Sequence, residues 1–189
     1  MFFFNRAMVP DPETQALVSR LSSHARTLYE TRQLLCAEAV LVSLNQGLDG
    51  GLTENQAVAM AAPFCAAMGE SGCICGALSG AVLAAGLIMG KDSPHSRRKA
   101  MRESGLALHN AFKAANGATC CRILTKGVRQ DKKARFRQCG DLTAGAAQMA
   151  ATFILEKRPE LVQKALNRPL PIRRGKVGQM MAALFQRLS

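Results

Sequence analysis

Gly69-Glu70-Ser71-Gly72-Cys73-Ile74-Cys75-Gly76-Ala77-Leu78-Ser79-Gly80, with its uncharged continuation to Gly90, is the stretch on which the reading of this chain turns. Its glycines permit a tight turn and a close approach of backbones. The apolar run after it reads as a helix, which places Cys75 at or near a helix N-terminus. There the free N–H groups and the positive end of the dipole favour a thiolate. Ser71 to Gly90 carries no charge and is about as long as a bilayer span. Only Ala77 to Met89 is continuous apolar helix, however, and the rest is Gly, Ser and Cys. The stretch therefore predicts a buried core helix rather than a transmembrane one. Five further cysteines, at positions 36, 65, 120, 121 and 139, are scattered along the chain, and some are expected to converge on this turn.

Toward the N-terminus, Pro10-Asp11-Pro12-Glu13 is a helix start, with Asp11 as cap and Pro12 in the first turn. The pattern predicts helix from there to about Asn45, with a break near Ser22-Ser23. Leu21, Leu28, Leu35 and Val42 recur every seven residues and mark a buried stripe. Cys36 falls late in this helix, at the edge of the core. Gly47 to Gly51 ends it. Thr53 with Gln56 forms a capping-box pattern for a second helix, which runs through Val58, Met60, Ala61 and Cys65, with a kink or end at Pro63.

Toward the C-terminus, Ser93-Pro94 predicts a helix start. Arg97, Arg98, Lys99 and Arg102 point outward from that helix, and Leu106, Ala107, Phe112 and Ala115 supply its apolar contacts. Asn116-Gly117 ends it. Thr119 is expected to cap a short helix from Cys120 to Leu124, and Lys126 to Arg137 to form an exposed basic run. Cys139, Leu142, Ala146, Met149 and Phe153 fall at helical spacing, with Cys139 opening that helix. Pro159 interrupts it. Pro169 and Pro171 read as a linker, and Val177 to Leu188 as a short amphipathic helix. The expected architecture is all-α: a compact bundle of about five to seven helices with a basic C-terminal extension. Residues 1–156 form the helical four-cysteine domain and residues 157–189 the basic tail.

Charge is unevenly distributed. Residues 1–90 carry 4 basic and 7 acidic side chains, and residues 91–189 carry 21 and 6, giving a net charge of +12. Such a basic half suits an acidic protein partner, nucleic acid or an anionic membrane surface. It lacks the interleaved aromatics of a nucleic-acid stacking platform. The opening Met-Phe-Phe-Phe-Asn-Arg lacks the features of a signal peptide, so a reducing cytoplasm is expected. There, clustered cysteines point to metal or redox chemistry rather than structural bridges.

Spacing excludes several familiar sites. No Cys-x-x-Cys is present, so the thioredoxin-type exchange motif and the zinc knuckle are missing, as are the haem-attachment and ferredoxin runs. His24, His95 and His109 have no ligand-like neighbours. Any single free cysteine is more often a small buried hydrophobe than a site. Together, however, Cys36, Cys75, Cys120 or Cys121, and Cys139 form a dispersed set, and the last three of these positions lie at predicted helix starts. Four such thiolates can hold a [2Fe–2S] or [4Fe–4S] cluster or a zinc ion. Arg122, Lys126 and Arg137 lie close in sequence to two of them.

Cys75-Gly76-Ala77-Leu78-Ser79-Gly80 resembles the Cys-Gly-Ala-x-x-Gly motif of a family of redox-active proteins. That family is patterned as one isolated cysteine, this motif and two further cysteines. Cys36, in Cys-Ala-Glu-Ala-Val-Leu, resembles the first cysteine; Cys121, in Cys-Cys-Arg-Ile-Leu, the third; and Cys139 the fourth. The similarity spans about residues 30 to 155. It implies an all-helical domain with Cys36, Cys75, Cys121 and Cys139 as its redox set. Similarity to the related module of split-Soret cytochromes implies that this set holds a non-haem [2Fe–2S] centre. Gly76, Ala77, Gly80 and Arg122 would then support the site. The chain departs from the pattern by adding Cys65, Cys73 and Cys120, so that Cys73 and Cys120 stand as alternates for Cys75 and Cys121.

The leading expectation is an electron-transfer or redox-sensing protein carrying an iron–sulfur cluster, [2Fe–2S] ahead of [4Fe–4S] or zinc. Its partner would be an acidic redox protein. A homodimer and membrane-surface contact by the tail are further options. Two alternatives are carried with it. One is metal-free thiol–disulfide chemistry, with Cys120-Cys121 or Cys73-Cys75 as labile pairs. The other is a basic helical module that binds an acidic partner or nucleic acid.

Overall fold

The computed structural model describes residues 11–92 and 95–171. Among them there are helices and turns but no strand, as expected of an all-α chain. The helices are α1 (Pro12–Glu30), α2 (Cys36–Gly47), α3 (Glu54–Ala61), α4 (Cys65–Glu70), α5 (Gly76–Gly90), α6 (Arg98–Asn116), α7 (Cys121–Leu124), α8 (Lys132–Lys157) and α9 (Leu161–Leu166).

The uncharged run forms α5, the central helix, packed on α2, α6 and α8. Ala77, Ala81 and Ala84 are buried along it. At Gly80 a Cβ would come within 2.5 Å of the Ala37 carbonyl oxygen and 3.1 Å of its Cα. Only glycine lets α2 lie this close, because the obstruction is backbone and cannot move aside. Around this centre α1 lies along α8, and α9 closes on α1. The Arg20 guanidinium donates to the carbonyls of Ala165 (2.6 Å) and Leu166 (3.3 Å). No helix among the described residues is long and apolar enough to cross a membrane.

Several helix starts follow their local chemistry. Asp11 accepts from the Thr14 N–H with Pro12 in the first turn, and Thr53 and Gln56 form the predicted capping box. Elsewhere the structure differs from the sequence expectations. The helix predicted from Pro12 to Asn45 is two helices. It continues through Ser22-Ser23, where Ser22 Oγ instead donates to the Ala144 carbonyl on α8. It stops at Glu30, and Arg32 then takes φ +56°. The reversal folds α2 back on α1, so Leu21, Leu28 and Val42 share one core from different helices, while Leu35, in the turn, is 53% exposed.

On the C-terminal side, α6 starts at Arg98; the predicted start at Ser93-Pro94 lies outside the described residues. Leu108 and Phe112 are its buried apolar contacts, whereas Leu106 is 60% exposed and Ala115 is also exposed. The basic run from Lys126 is not all loop: α8 begins within it at Lys132, capped by Asp131, which accepts from the N–H groups of Lys133 and Ala134. Cys139 therefore lies two turns inside α8 instead of opening it. The amphipathic segment Val177 to Leu188 lies outside the described residues.

After α3, Pro63 falls in a 3-10 turn, as the expected end of the helix required. From Ala66 to Glu70 the chain is then left-handed, with φ between 51° and 69°. Of these five residues only Gly69 takes that region without cost; for the others it costs about 1–2 kcal/mol each. Burial of Cys65 and Ala67 on either side of Ala66, together with a hydrogen bond from Ser71 Oγ to the Ala67 carbonyl (2.7 Å), holds the turn in place.

Candidate redox site

Three of the four expected cysteines sit at helix starts. Cys36 is the first residue of α2, Cys75 the N-cap of α5 and Cys121 the first residue of α7. The fourth, Cys139, is inside α8. The expectation of three helix-start cysteines thus holds with a different membership: Cys36 joins because the first long helix breaks before it, and Cys139 leaves because Asp131 starts α8 early. Thr119 does not cap α7; Cys120 holds that position, and the Thr119 carbonyl accepts from the Cys75 N–H at 2.7 Å.

The sulfurs gather in pairs. Cys75 and Cys121 share a hydrogen bond between their side chains. Cys75 is 3% exposed and Cys121 is half-buried. Their titrations separate: Cys121, stabilised as the thiolate by the Cys75 thiol and by the Arg135 charge, is pulled down to about 7 from an ordinary 9.0. Cys75 is pushed up because its proton is held in the bond to Cys121 and because it is buried. The N–H groups of Leu78 and Ala77 at the start of α5 pull the other way on Cys75, but only one thiol of the pair can ionise easily. This is the asymmetry expected of an accessible attacking thiolate beside a buried second thiol.

Cys36 lies next to this pair. A Cβ at Gly76 would come within 2.5 Å of Cys36 Sγ and 2.8 Å of the Phe64 carbonyl oxygen, so Gly76 makes the room that Cys36 Sγ occupies, one residue from Cys75. The side chain of Cys36 is hydrogen-bonded to Cys65, whose thiol is pushed up first by that bond and then by burial. Cys139 is close enough to feel the Cys121 charge. Burial pushes Cys139 up most, and a hydrogen bond from the Tyr29 hydroxyl offsets part of this. Tyr29 is pushed up mainly by burial and also by the sulfurs of Cys139 and Cys36. It stacks on Phe136 at 5.0 Å, and Arg32 covers that ring from 5.1 Å.

The sequence-predicted cysteines are thus linked in steps, Cys75 with Cys121, Cys121 with Cys139 by charge, and Cys139 with Cys36 through Tyr29, and three contributors were not expected there. Cys65 belongs to no pattern in the sequence, and the left-handed turn that follows it, Ala66 to Glu70, is invisible to helical periodicity. Tyr29 is the chain's only tyrosine, and its position one residue before the end of α1 is the available signal. The basic group acting on the sulfurs is Arg135. Arg122 instead donates to the Ser71 carbonyl at 2.6 Å and lies over Gly72, where φ is +87° and a Cβ would meet its guanidinium at 2.8 Å.

A second pair lies on the same two stretches of chain. Cys73 and Cys120 form a disulfide with Cα atoms 4.6 Å apart. Cys73 is thus a partner of Cys120 and not a stand-in for Cys75. The two labile pairs expected from proximity in sequence, Cys120-Cys121 and Cys73-Cys75, are replaced by pairings across the two loops, because the loops run side by side. Among the described residues no three His, Cys, Asp or Glu side chains are placed together to hold a metal ion.

The chain belongs to the family described as "Putative redox-active protein (C_GCAxxG_C_C)", whose sequence model matches residues 34–153. Comparison with curated proteins and with solved structures returned no match. The matched segment runs from just before Cys36 to beyond Cys139 and contains every free cysteine and the disulfide.

Proposed function

We propose that this member of the redox-active family is a dithiol–disulfide protein that works through Cys75 and Cys121 and exchanges two electrons with a disulfide-bearing protein partner. The observation that carries this reading is the placement of half-buried Cys121 beside buried Cys75, on two loops joined by a hydrogen bond from the Cys75 N–H to the Thr119 carbonyl (2.7 Å). The Cys121 thiolate attacks one sulfur of the partner's disulfide, and the other sulfur leaves with the electron pair of the broken bond and takes up a proton. The Cys75 thiol then attacks Cys121 Sγ in the mixed disulfide, and its proton passes to the departing partner thiol. The partner ends as a dithiol and the chain carries a Cys75–Cys121 disulfide. Exposed Arg122, Lys126, Arg129, Lys132, Lys133, Arg135 and Arg137 follow Cys121 in the chain, with Arg135 close enough to act on it, and suit an acidic partner.

A second reading, a [2Fe–2S] cluster on Cys36, Cys75, Cys121 and Cys139, is favoured by the links that join Cys75, Cys121 and Cys139 and by the positive field of Arg135. Four thiols are the donor chemistry that such a cluster takes, and when bound it would supply one-electron transfer. The pairing of Cys36 with Cys65, outside the set, ranks it second.

Redox titration of the whole chain, with alkylation and peptide mapping at each potential, tests the first reading. A two-electron step that links Cys75 to Cys121 is expected, and no such linkage at any potential would sink it. Iron and acid-labile sulfide, measured without air alongside a visible spectrum, decide for or against the second.

A further inference from the structure

Cys73 and Cys120 stand one step outside Cys75 and Cys121 on the same two loops: Cys73 is two residues before Cys75, and Cys120 directly precedes Cys121. The two pairs therefore lie as successive rungs between loop 71–75 and loop 118–121. The loops are joined without the disulfide. The Cys75 N–H donates to the Thr119 carbonyl (2.7 Å), the Arg122 N–H to the Gly72 carbonyl (3.1 Å), and the Arg122 guanidinium to the Ser71 carbonyl (2.6 Å). A covalent bond is not needed to close them. Cys73 is exposed while Cys75 is buried, so the outer bond is the one a partner meets first. An exposed disulfide is the type that thiol exchange reaches.

We infer that Cys73–Cys120 is a second redox site, an outer port through which a thiol or disulfide partner exchanges two electrons with the inner Cys75–Cys121 pair. The inference rests on the dithiol reading of the inner pair and adds the route to it. A thiolate of the inner pair attacks one sulfur of the outer disulfide. The outer S–S bond breaks, and its electron pair, with the proton of the second inner thiol, ends on the outer sulfur that leaves. The second inner sulfur then displaces the outer sulfur still attached, closing the inner disulfide. The outer cysteines finish as one thiol and one thiolate, which takes from water the proton that the inner thiolate had released on ionising; the inner pair finishes as a disulfide, and two electrons have moved between the pairs. An external disulfide, of the glutathione or protein class, reoxidises the outer thiols by the same exchange.

The test is time-resolved oxidation of the fully reduced chain with oxidised glutathione, quenched by alkylation and mapped by mass spectrometry. The expected sequence is an early Cys73–Cys120 linkage that gives way to Cys75–Cys121. In the double variant Cys73→Ser/Cys120→Ser the inner disulfide should still form, but about tenfold or more slowly. Equal inner rates in wild type and double variant would overturn the port, while leaving the inner-pair reading intact. Absence of the inner linkage from both would overturn that reading and the port with it. If the double variant does not fold, Cys120→Ser alone serves. Its Cys73 should accumulate as a glutathione mixed disulfide within the lag before inner oxidation, and failure of Cys73 to react ahead of the inner pair would also overturn the port.

Discussion

The two ends of α5 are both glycine-rich and contrast in what the glycines do. At the start, Gly76 and Gly80 are filled from outside by Cys36 Sγ, the Phe64 carbonyl and the backbone of Ala37. At the far end, a Cβ on Gly86 would meet nothing within 4 Å, and one on Gly90 would meet only the flexible side chain of Met101, at 3.5 Å or beyond. The same residue type is thus a strict requirement at the start of α5 and a tolerated one six to fourteen residues further along the helix. Along α5, tight backbone approach lies at the end that carries Cys75.

The sharpest way to break that contrast is Gly80→Ala. The added methyl has no free volume and faces a carbonyl, so a loss of about 2–3 kcal/mol is expected, read as a lower denaturant midpoint. An unchanged midpoint would mean that α2 and α5 are not in this contact. Gly86→Ala belongs at the other extreme, as described last.

The next effect concerns reactivity at the tight end. With Cys121 held near 7 against an ordinary 9.0, about half of it is thiolate at pH 7. After allowing for the lower nucleophilicity of a more acidic thiol, it should alkylate about five times faster than an ordinary cysteine. Its pH–rate midpoint should lie near 7 and move up in Cys75→Ala, which removes the donor. A midpoint near 9 in the wild type would refute the pairing.

Stability should follow pH with two signs. The depressed Cys121 contributes stability that is present above 9.0 and lost as pH falls through about 7. The raised Cys65, Cys75, Cys139 and Tyr29 contribute stability that is complete below the ordinary thiol value and lost as pH climbs through their folded values. Unfolding free energy should therefore rise modestly from pH 7 to 9 and fall more steeply above it. Urea titrations at a series of pH values check this, and a monotonic rise through pH 10 would contradict it.

Smaller effects sharpen the comparison. Tyr29→Phe removes one hydrogen bond to Cys139 and should cost about 1 kcal/mol while raising the pH at which Cys139 alkylates. A structural role alone would leave that pH unmoved. Gly86→Ala, exposed and unobstructed, should stabilise by about 0.5–1 kcal/mol and leave cysteine reactivity unchanged; destabilisation there would erase the difference between the ends.

The sequence alone determined the helical class, the buried identity of α5, the caps at Asp11 and Thr53, and the close-approach role of Gly76 and Gly80. Each of these is written in local chemistry: a capping side chain, an uncharged run, a missing Cβ. The family was legible from the motif and from the order of the cysteines. What only the tertiary structure decided is who pairs with whom. Cys36 meets Cys65 because Arg32 turns the chain back and a left-handed turn carries Cys65 inward. Cys121 meets Cys75, and Cys73 meets Cys120, because loops 71–75 and 118–121 lie side by side. Such pairings join residues some thirty to fifty positions apart, and periodicity, which records only which face of a helix is apolar, holds no information about them.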